Sequence, residues 1–285
     1  MDFKNYPLVS VIITTKNEEK NIANCLKSIQ EQSYRNIEII VVDNNSTDKT
    51  KSLCHPDRSG GIPLIHFFTH GPERSAQRNF GVSRAKGEYI LYLDADMILS
   101  KDVIKDCVIK IQNNPGVIAL YISEIVMGNS FWCRVRRFER SFYDGTVIDC
   151  VRFISKKAFD AVKGFDENMS GPEDWDFDKK IRLLGKTDLI KTPIYHNEQN
   201  FNLRNYLNKK SYYIKSFDVY IKKWGKDDAD IKKQLGVCYR YCGVFIENGK
   251  WKKLVCHPIL TLGMYFLKGF VGFVYLMEKI KMINA

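Results

Sequence analysis

The amino-acid sequence predicts an α/β protein: a mostly parallel β-sheet flanked by helices, with a helical C-terminal extension that associates with a membrane. Two observations carry this prediction. Short β-branched and apolar runs alternate with amphipathic helical patterns over about the first 120 residues, which is typical of stacked βαβ units. From about residue 200 the chain becomes basic and aromatic, and then strongly apolar.

The elements of the first part alternate as strand and helix. Continuous apolar runs predict strands at 8–15, 37–42, 63–68, 88–93 and 117–123. Asn17 is predicted to cap a first helix, which carries apolar residues at helical spacing. Two further helices are predicted at 73–86 and 102–113. Because the strands would pair in parallel, their carboxyl ends should meet at one edge of the sheet.

Composition bounds the size of the core and the kind of partner. The chain has 285 residues, 45% of them hydrophobic, and a formal net charge of +11. It is therefore long enough for one large or two modest domains with a packed core. The excess of basic residues predicts an anionic partner, and nucleic acid, anionic lipid and phosphorylated small molecules all qualify.

The cysteines and the first residues indicate the compartment. Eight Cys are present without a C-x-x-C pair, and Cys238 and Cys242 lack a second pair at zinc spacing. Reduced cysteines are typical of the cytoplasm. Residues 1–6 are polar and charged, which predicts no cleavable signal peptide. We therefore expect a cytoplasmic protein, at the inner face of the cell membrane if its tail binds lipid.

The most informative stretch is 88–96, in which five apolar or aromatic residues lead into Asp94 and Asp96. Residues two apart on an extended chain point to the same side. Both carboxylates can therefore face one small volume, where a divalent cation would relieve their repulsion. Carboxylate oxygens suit Mg²⁺ or Mn²⁺. The alternative is a solvated turn at a strand end, where Asp is common.

Two more polar strand ends, 14–17 and 43–46, should join this edge and form a binding crevice. Neither of the common glycine-rich phosphate loops follows a strand. Phosphate groups would therefore need a metal ion and basic side chains. Arg74 and Arg78 share one face of a predicted helix, and Gly81 would let that helix approach the sheet closely. The alternative is a solvated basic face.

The second part of the chain has weaker patterns. Residues 131–140 form a basic amphipathic segment, 147–154 are predicted to be a strand, and a short strand ends at His196. Four acidic residues lie within 173–178, beside Trp175. Acidic residues favour a helix N-terminus, but four in six positions are more than capping needs.

The tail favours contact with a membrane. Residues 203–223 are basic and rich in tyrosine, and 254–277 are apolar with lysines on both sides, a pattern that suits anionic lipid headgroups. The length fits a membrane span. Pro258, Lys268 and three glycines argue instead for a shallow or re-entrant helix. A helix buried in the protein core is the alternative.

Five stretches in order carry a resemblance to a known family. They are 9–18, 41–48, 76–81, 93–96 and 171–176. Together they resemble glycosyltransferase family 2, inverting enzymes with the GT-A fold, over roughly residues 8–198. The resemblance implies a GT-A nucleotide-sugar-binding and catalytic domain at 1–200 and a helical C-terminal region at 201–285.

The resemblance also implies roles for individual residues. The residues expected to bind the nucleotide-sugar donor are Thr14, Asn17, Asp43, Asn45, Arg78 and Asp94. Asp96 would bind Mn²⁺ or Mg²⁺ on the diphosphate together with Asp94, and His196 would be a further metal or diphosphate contact. Asp174 would be the general base. Asn44 stands where the family often carries a second acidic residue.

The chemistry agrees with this division of acidic residues. Transfer with inversion is one in-line displacement, in which a base takes the proton of the attacking hydroxyl and a divalent ion stabilises the leaving diphosphate. The sequence therefore predicts a metal-dependent transferase that uses a UDP- or GDP-sugar. Its acceptor would be a polyprenyl-linked or other cell-envelope glycan, and it would be a peripheral membrane protein without a nucleic-acid partner.

Two other functions remain open on sequence grounds. A nucleotidyltransferase that makes nucleotide sugars would share the sheet, but it typically has a glycine-rich loop where this chain has residues 14–17. A non-catalytic basic adaptor for membranes or nucleic acid would explain the charge. No helix-turn-helix, zinc-finger or RNA-recognition pattern supports the adaptor.

Overall fold

One eight-stranded sheet organises residues 6–54 and 65–283, which are the residues that this computed structural model describes. Predictions for residues 1–5 and 63–64 lie outside this range. The strands are β1 Val9–Thr15, β2 Ile37–Asp43, β3 Ile65–Thr69, β4 Tyr89–Asp94, β5 Met97–Leu99, β6 Val117–Met127, β7 Phe153–Ser155 and β8 Lys186–Asn197. Their order across the sheet is β3-β2-β1-β4-β7-β6-β8-β5.

The sheet has a parallel part and a mixed part. Strands β3, β2, β1 and β4 pair in parallel. Strand β7 is antiparallel to both β4 and β6, β5 is antiparallel to β8, and β6 and β8 are parallel. The predicted fold class is confirmed, since the parallel part contains the predicted βαβ units. The antiparallel pairings come from residues beyond β4, where the sequence patterns were weaker.

Thirteen helices of the described residues flank or extend the sheet. They are α1 Ile22–Gln30, α2 Thr50–Leu53, α3 Arg74–Arg84, α4 Val103–Asn113, α5 Phe131–Arg140, α6 Lys156–Ala161, α7 Glu173–Leu184, α8 Leu203–Ile214, α9 Phe217–Trp224, α10 Ala229–Leu235, α11 Val244–Ile246, α12 Trp251–Cys256 and α13 Pro258–Ile283. A π-helical turn at Tyr239–Gly243 precedes α11, and a 3-10 turn at Glu247–Gly249 follows it.

Two local predictions were wrong. The first helix begins at Ile22, because Asn17 has a left-handed backbone and bonds to the loop after β2 instead of capping a helix. The strand predicted at 147–154 is reduced to β7. Residues 147–152 are irregular, and several of their backbone groups bond to side chains of other elements, as when the Val151 N–H donates to Asp178 Oδ1 at 3.3 Å.

Apolar residues fill both faces of the parallel part. Val11 and Ile13 of β1 belong to one buried cluster, which includes residues of α1 and α4. Ile12 faces the opposite side, in a second cluster with residues of α3 and α7. This alternation follows from the two-residue period of a strand, and burial on both faces explains why the strands are continuously apolar.

The long helix α13 has one buried face and one exposed apolar face. Lys268 is 5% exposed, and its Nζ lies 3.5 Å from Glu139 Oε1 on α5. Seven of its exposed apolar side chains recur three or four residues apart, and they are Ile259, Leu262, Phe266, Phe270, Phe273, Met277 and Ile280. We call these seven residues the apolar stripe. By length and hydropathy α13 could span a bilayer, and 22% of its apolar window is buried in the protein.

Gly81 is expected to be required for the packing of α3 on the sheet. A Cβ at Gly81 would lie 2.5 Å from Ile12 Cγ2 and 3.2 Å from Val42 Cγ2, and β-branched side chains cannot easily move away. Gly81→Ala should therefore lower the free energy of unfolding by about 1–3 kcal/mol, as measured by urea denaturation.

The matched control is Gly269→Ala in α13, where an added Cβ meets nothing within 4 Å. Because alanine is the better helix former, this change should leave stability equal or raise it by up to about 1 kcal/mol. Equal stability of the two variants would contradict the proposed close packing of α3.

Candidate active site

Three strand ends meet at one edge of the sheet, as the sequence predicted. The register places Thr15 beside Asp43 on β2, and Thr14 beside Asp94 on β4. The Thr14 hydroxyl donates to Asp94 Oδ1 over 3.2 Å. Parallel pairing produces this arrangement, because the carboxyl ends of neighbouring parallel strands lie side by side.

The loops after β1 and β2 are bonded to each other. Asn17 and Asn45 have φ values of 55° and 50°, a region that asparagine adopts more readily than most residues. Asn17 Oδ1 accepts from the Thr47 N–H at 2.8 Å, and the Asn17 N–H donates to Ser46 Oγ at 2.7 Å. Asp43 is buried and accepts from the Ser46 N–H. These residues therefore fix the shape of the loops at the sheet edge.

Arg78 of α3 joins two of the predicted site residues. Its guanidinium has no exposed surface, and it donates from Nη1 to Asp174 Oδ1 at 2.6 Å and from Nη2 to Asp94 Oδ1 at 3.1 Å. The guanidinium carbon lies 4.7 Å and 5.0 Å from the ring centroids of Tyr92 and Phe165. Burial opposes ionisation of Asp94, but the neighbouring arginines outweigh it and hold the pKa of that carboxyl below its usual range.

Other side chains anchor α3 in this position. The Gln77 amide donates to the carbonyl oxygens of Thr15 (3.0 Å) and Val42 (2.7 Å), beside the ends of β1 and β2. Arg74, one turn before Arg78, donates to Glu173 Oε1 at 3.0 Å. The basic face of α3 is therefore turned into the site and is not the solvated surface of the alternative prediction.

Asp96 is held by His196. The pairing of β5 with β8 places His196 opposite Met97, and His196 Nε2 lies 3.0 Å from Asp96 Oδ2. The other ring nitrogen lies 2.9 Å from Glu124 Oε1 on β6. Burial disfavours a charged ring, but Asp96 and Glu124 outweigh that effect and raise the pKa of His196 to about 10. The two carboxylates therefore favour the charged form of the ring.

The carboxylate edge fits a divalent cation in one respect. Asp96 Oδ1 is buried and has no hydrogen-bond partner within residues 6–54 and 65–283, so an acceptor oxygen is left for a cation. Among the described residues, no three His, Cys, Asp or Glu side chains converge as a complete metal site. Mg²⁺ commonly takes only one or two protein carboxylates, with substrate phosphates and water as the other ligands. The residues present fit such a site.

The four acidic residues at the start of α7 have separate partners. Asp174 bonds to Arg78, as described. Asp176 accepts from Trp224 Nε1 at 2.8 Å, and Asp178 accepts from Arg182 Nε at 2.7 Å. Glu173 and these two are fully or almost fully buried, whereas Asp174 alone of the four lines the adjoining cavity. The cluster thus mostly anchors α7, and one member faces open space.

The cavity beside Asp174 has a volume of about 410 Å³. One wall comes from β6, α5 and residues 148–152, and the other comes from α8, α10, the π-helical turn and α13. Tyr213 of α8 lines the cavity, and its hydroxyl accepts from Arg74 Nη2 at 2.9 Å. The C-terminal helices therefore complete the site and do not form a remote appendage.

Sequence reasoning missed Glu124 and Arg152. Arg152 Nη2 lies 3.3 Å from Glu124 Oε2, and both line the cavity with His196. A signal was present for Glu124, since a carboxylate inside a buried apolar strand is uncommon unless it is paired. No local pattern marks Arg152. The sequence predicts a strand over 147–154, and a strand pattern does not indicate that an arginine within it is part of a site.

Comparison with protein families and curated proteins gives consistent matches. The model of glycosyl transferase family 2 matches residues 10–164. Glycosyltransferase GlyG of Streptococcus pneumoniae is 28% identical over 197 residues, which cover 68% of this chain and 60% of GlyG. The GalNAc(5)-diNAcBac-PP-undecaprenol beta-1,3-glucosyltransferase of Campylobacter jejuni is 29% identical over 218 residues, 75% of this chain and 64% of that protein. The chain spans less than two thirds of either relative.

Solved structures share the fold. Mannosyltransferase PcManGT from Pyrobaculum calidifontis, in complex with GDP-Man and Mn2+, superposes with a TM-score of 0.62 at 20% identity, covering 97% of this chain and 87% of that one. S. aureus TarS 1–349 in complex with UDP-GlcNAc gives 0.58 at 16% identity, covering 97% and 92%. These likenesses show a GT-A-like fold.

Replacing Arg78 should be strongly destabilising. Among the residues that the structure describes, Arg78 is the only cation that bonds both Asp94 and Asp174, and Arg78→Met would remove it. Breaking a buried ion pair by removing one partner costs about 3–5 kcal/mol. Urea denaturation should show a loss of that size.

The double variant Arg78→Met/Asp174→Asn should recover part of the loss, because it removes the charge of the carboxylate that was paired with Arg78 at 2.6 Å. Strictly additive effects of the two changes would show that the Arg78–Asp174 contact contributes nothing to stability.

Proposed function

We propose that this chain, which belongs to glycosyltransferase family 2, transfers a sugar with inversion from a UDP- or GDP-sugar to a hydroxyl of a lipid-linked or cell-envelope glycan. One observation carries the proposal. Arg78 joins Asp94, at the strand edge, to Asp174, at the cavity wall. A carboxylate for the donor side and a carboxylate for the acceptor side are thus held by one cation, which would fix their mutual position.

The donor would lie across the carboxyl ends of β1, β2 and β4. Thr14, Asp43 and Asp94 would contact the nucleotide and its diphosphate. Arg78, expected from the sequence to join them, is buried and would act by holding Asp94 in place. Asn17 and Asn45 would act indirectly, by fixing the shape of the loops after β1 and β2, to which they belong. PcManGT and TarS were solved with GDP-Man and UDP-GlcNAc respectively, which supports a nucleotide-sugar donor without choosing the base or the sugar.

Asp96 and Asp94 would hold Mn²⁺ or Mg²⁺. The unpartnered Asp96 Oδ1 supports this, as does the Mn2+ in the PcManGT complex. When bound, the ion would neutralise charge that develops on the leaving diphosphate. We propose that His196, expected from sequence to be a further ligand, instead positions Asp96, because both of its ring nitrogens are engaged by carboxylates.

Asp174 would be the general base. It lines the cavity in which an acceptor would lie, and Arg78 fixes one of its oxygens. The other oxygen would accept the proton of the attacking hydroxyl as that hydroxyl displaces the nucleoside diphosphate. Family membership favours this reaction over the nucleotidyltransferase and adaptor alternatives.

We propose a catalytic domain at 1–200 and a helical region at 201–285 that binds the inner face of the cell membrane peripherally. The apolar stripe of α13 is exposed, and lysines flank the helix. Because Lys268 is buried against Glu139, the helix would lie along the membrane surface with its stripe in the lipid. The name of the C. jejuni relative includes PP-undecaprenol, which supports a polyprenyl-linked acceptor. Nucleic acid is not proposed as a partner.

The reaction is tested with a panel of UDP- and GDP-sugars and Mn²⁺, by measuring nucleoside diphosphate release and product. Asp174→Asn should lower kcat for transfer about 10²–10⁴-fold and leave the donor KM little changed, because an amide cannot take the proton. The exposed Asp227 provides the matched control, Asp227→Asn, which should behave as wild type. An unchanged rate in Asp174→Asn would remove that residue from the base role.

Membrane binding is tested with vesicles of phosphatidylcholine with and without phosphatidylglycerol. The variant Leu262→Ser/Phe266→Ser/Phe273→Ser should reduce cosedimentation with anionic vesicles about tenfold or more, because it removes apolar area from the stripe. The control is Leu183→Ser on α7, since Leu183 is 70% exposed and Leu262 is 73% exposed. Equal loss in the control, or no binding by the wild type, would refute membrane contact through α13.

A further inference from the structure

The cavity beside Asp174 carries more positive than negative charge. Six lysine and arginine side chains line it, against four carboxylates. Each carboxylate already has a cation. Arg136 lies 2.9 Å from Glu139, Arg140 lies 2.7 Å from Asp149, Arg152 bonds Glu124 and Arg78 bonds Asp174. The excess positive charge therefore lies on the lining cations that are not paired with any of these carboxylates.

Those residues are Lys210 of α8 and Arg240 of the π-helical turn. Within the part of the chain that the structure describes, neither is paired with a carboxylate. Each lies over an aromatic ring of the cavity wall instead: Lys210 Nζ is 5.2 Å from the centroid of Tyr206, and the Arg240 guanidinium carbon is 5.9 Å from that of Trp175. Single π-helical turns are frequent at functional sites.

The surroundings of Lys210 disfavour its charge unless an anion binds beside it. Burial, Arg136 and Arg240 lower the pKa of Lys210 to about 7. The pKa of its neighbour Lys209 is raised instead. Tyr213, Asp96 and Asp94 raise this pKa, and together they outweigh burial and Arg74, which lower it. The two adjacent lysines of α8 therefore have different surroundings. Lys209 is close enough to the strand-edge carboxylates to interact with them electrostatically, whereas Lys210 lines the cavity.

We infer that the cavity is the acceptor site and that Lys210 and Arg240 bind an anionic group of the acceptor. This inference rests on the proposed function. Arg240 lies over Trp175, the residue after Asp174, so the anionic group would lie close to the attacking hydroxyl, on the same or the next unit of the acceptor. The ligand would be a phosphate ester or a sugar carboxylate, both of which match a guanidinium fork. The aromatic walls would pack against sugar rings.

The first experiment compares acceptors with the wild-type protein and one accepted donor. The panel pairs a uronic-acid-terminated oligosaccharide with its methyl ester, and a phosphate-bearing oligomer with its dephosphorylated form. The charged member of at least one pair should have kcat/KM about tenfold or more above its neutral partner, as expected for a hydrogen bond to a charged group. The pair that shows the difference identifies the source of the anion, and equal efficiency in both pairs overturns the inference.

The second experiment uses Lys210→Met and Arg240→Met, which keep apolar bulk in place of the charge. Each should raise KM for the charged acceptor about tenfold, with a much smaller effect on its neutral partner, and Arg240→Lys should keep part of the binding. Arg204→Met, at an exposed position of α8, is the matched control and should match wild type. Equal effects on charged and neutral acceptors, or a matching rise in donor KM, would overturn the assignment.

Failure of the proposed function gives a different result. In that case the wild type would neither hydrolyse nor transfer from any nucleotide sugar. Calorimetric titration with the charged and neutral acceptor fragments then tests the cavity independently of catalysis. Preference for the charged fragment that is lost in Arg240→Met supports the anion site, and absence of such a preference refutes it.

Discussion

The site of this protein depends on one buried ion-pair network centred on Arg78. A guanidinium without exposed surface is tolerated only where carboxylates and aromatic faces replace the lost water. Asp94 and Tyr92 come from β4, Asp174 comes from α7, and Phe165 comes from the segment before α7. The parts of the chain that satisfy the arginine are therefore the parts that form the site. Stability and preorganisation have the same physical origin here, because the fold is complete only when the two carboxylates are in position.

The C-terminal helices extend this network. Tyr213 accepts from Arg74 on α3, so α8 is fastened to the same helix that carries Arg78. An ion pair explains why the charged Lys268 interrupts an apolar segment. Lys268 faces Glu139 inside the protein, and the apolar stripe lies on the opposite side of α13. A helix with one face committed to a buried ion pair has only its other face available to lipid. Binding along the membrane surface is compatible with that geometry, whereas a span surrounded by lipid would separate Lys268 from Glu139.

Sequence reasoning succeeded where structure is local or repeated. Parallel strands bring their carboxyl ends together whatever the details of packing, so the neighbourhood of Thr14, Asp43 and Asp94 followed from the strand pattern alone. The close approach at Gly81 followed from the absence of a glycine side chain. Contacts that depend on long-range register were inaccessible: Glu124 reaches His196 only because β6 and β8 pair with a register shift. The sequence also did not indicate Arg240, because a short π-helical turn has no periodic pattern of apolar residues.

The distribution of charge divides the site into two regions with different requirements. At the strand edge, Asp94 and Asp96 would repel an anionic diphosphate, and both arginines of α3 that reach this edge, Arg74 and Arg78, are already paired with carboxylates. The proposed divalent ion would supply the additional positive charge. In the cavity the balance is reversed, and a neutral acceptor would displace water from Lys210 and Arg240 without supplying a counter-charge. Discrimination against neutral acceptors would then come mainly from that uncompensated desolvation, because a missing partner in a recessed cavity lowers affinity more than an added contact raises it.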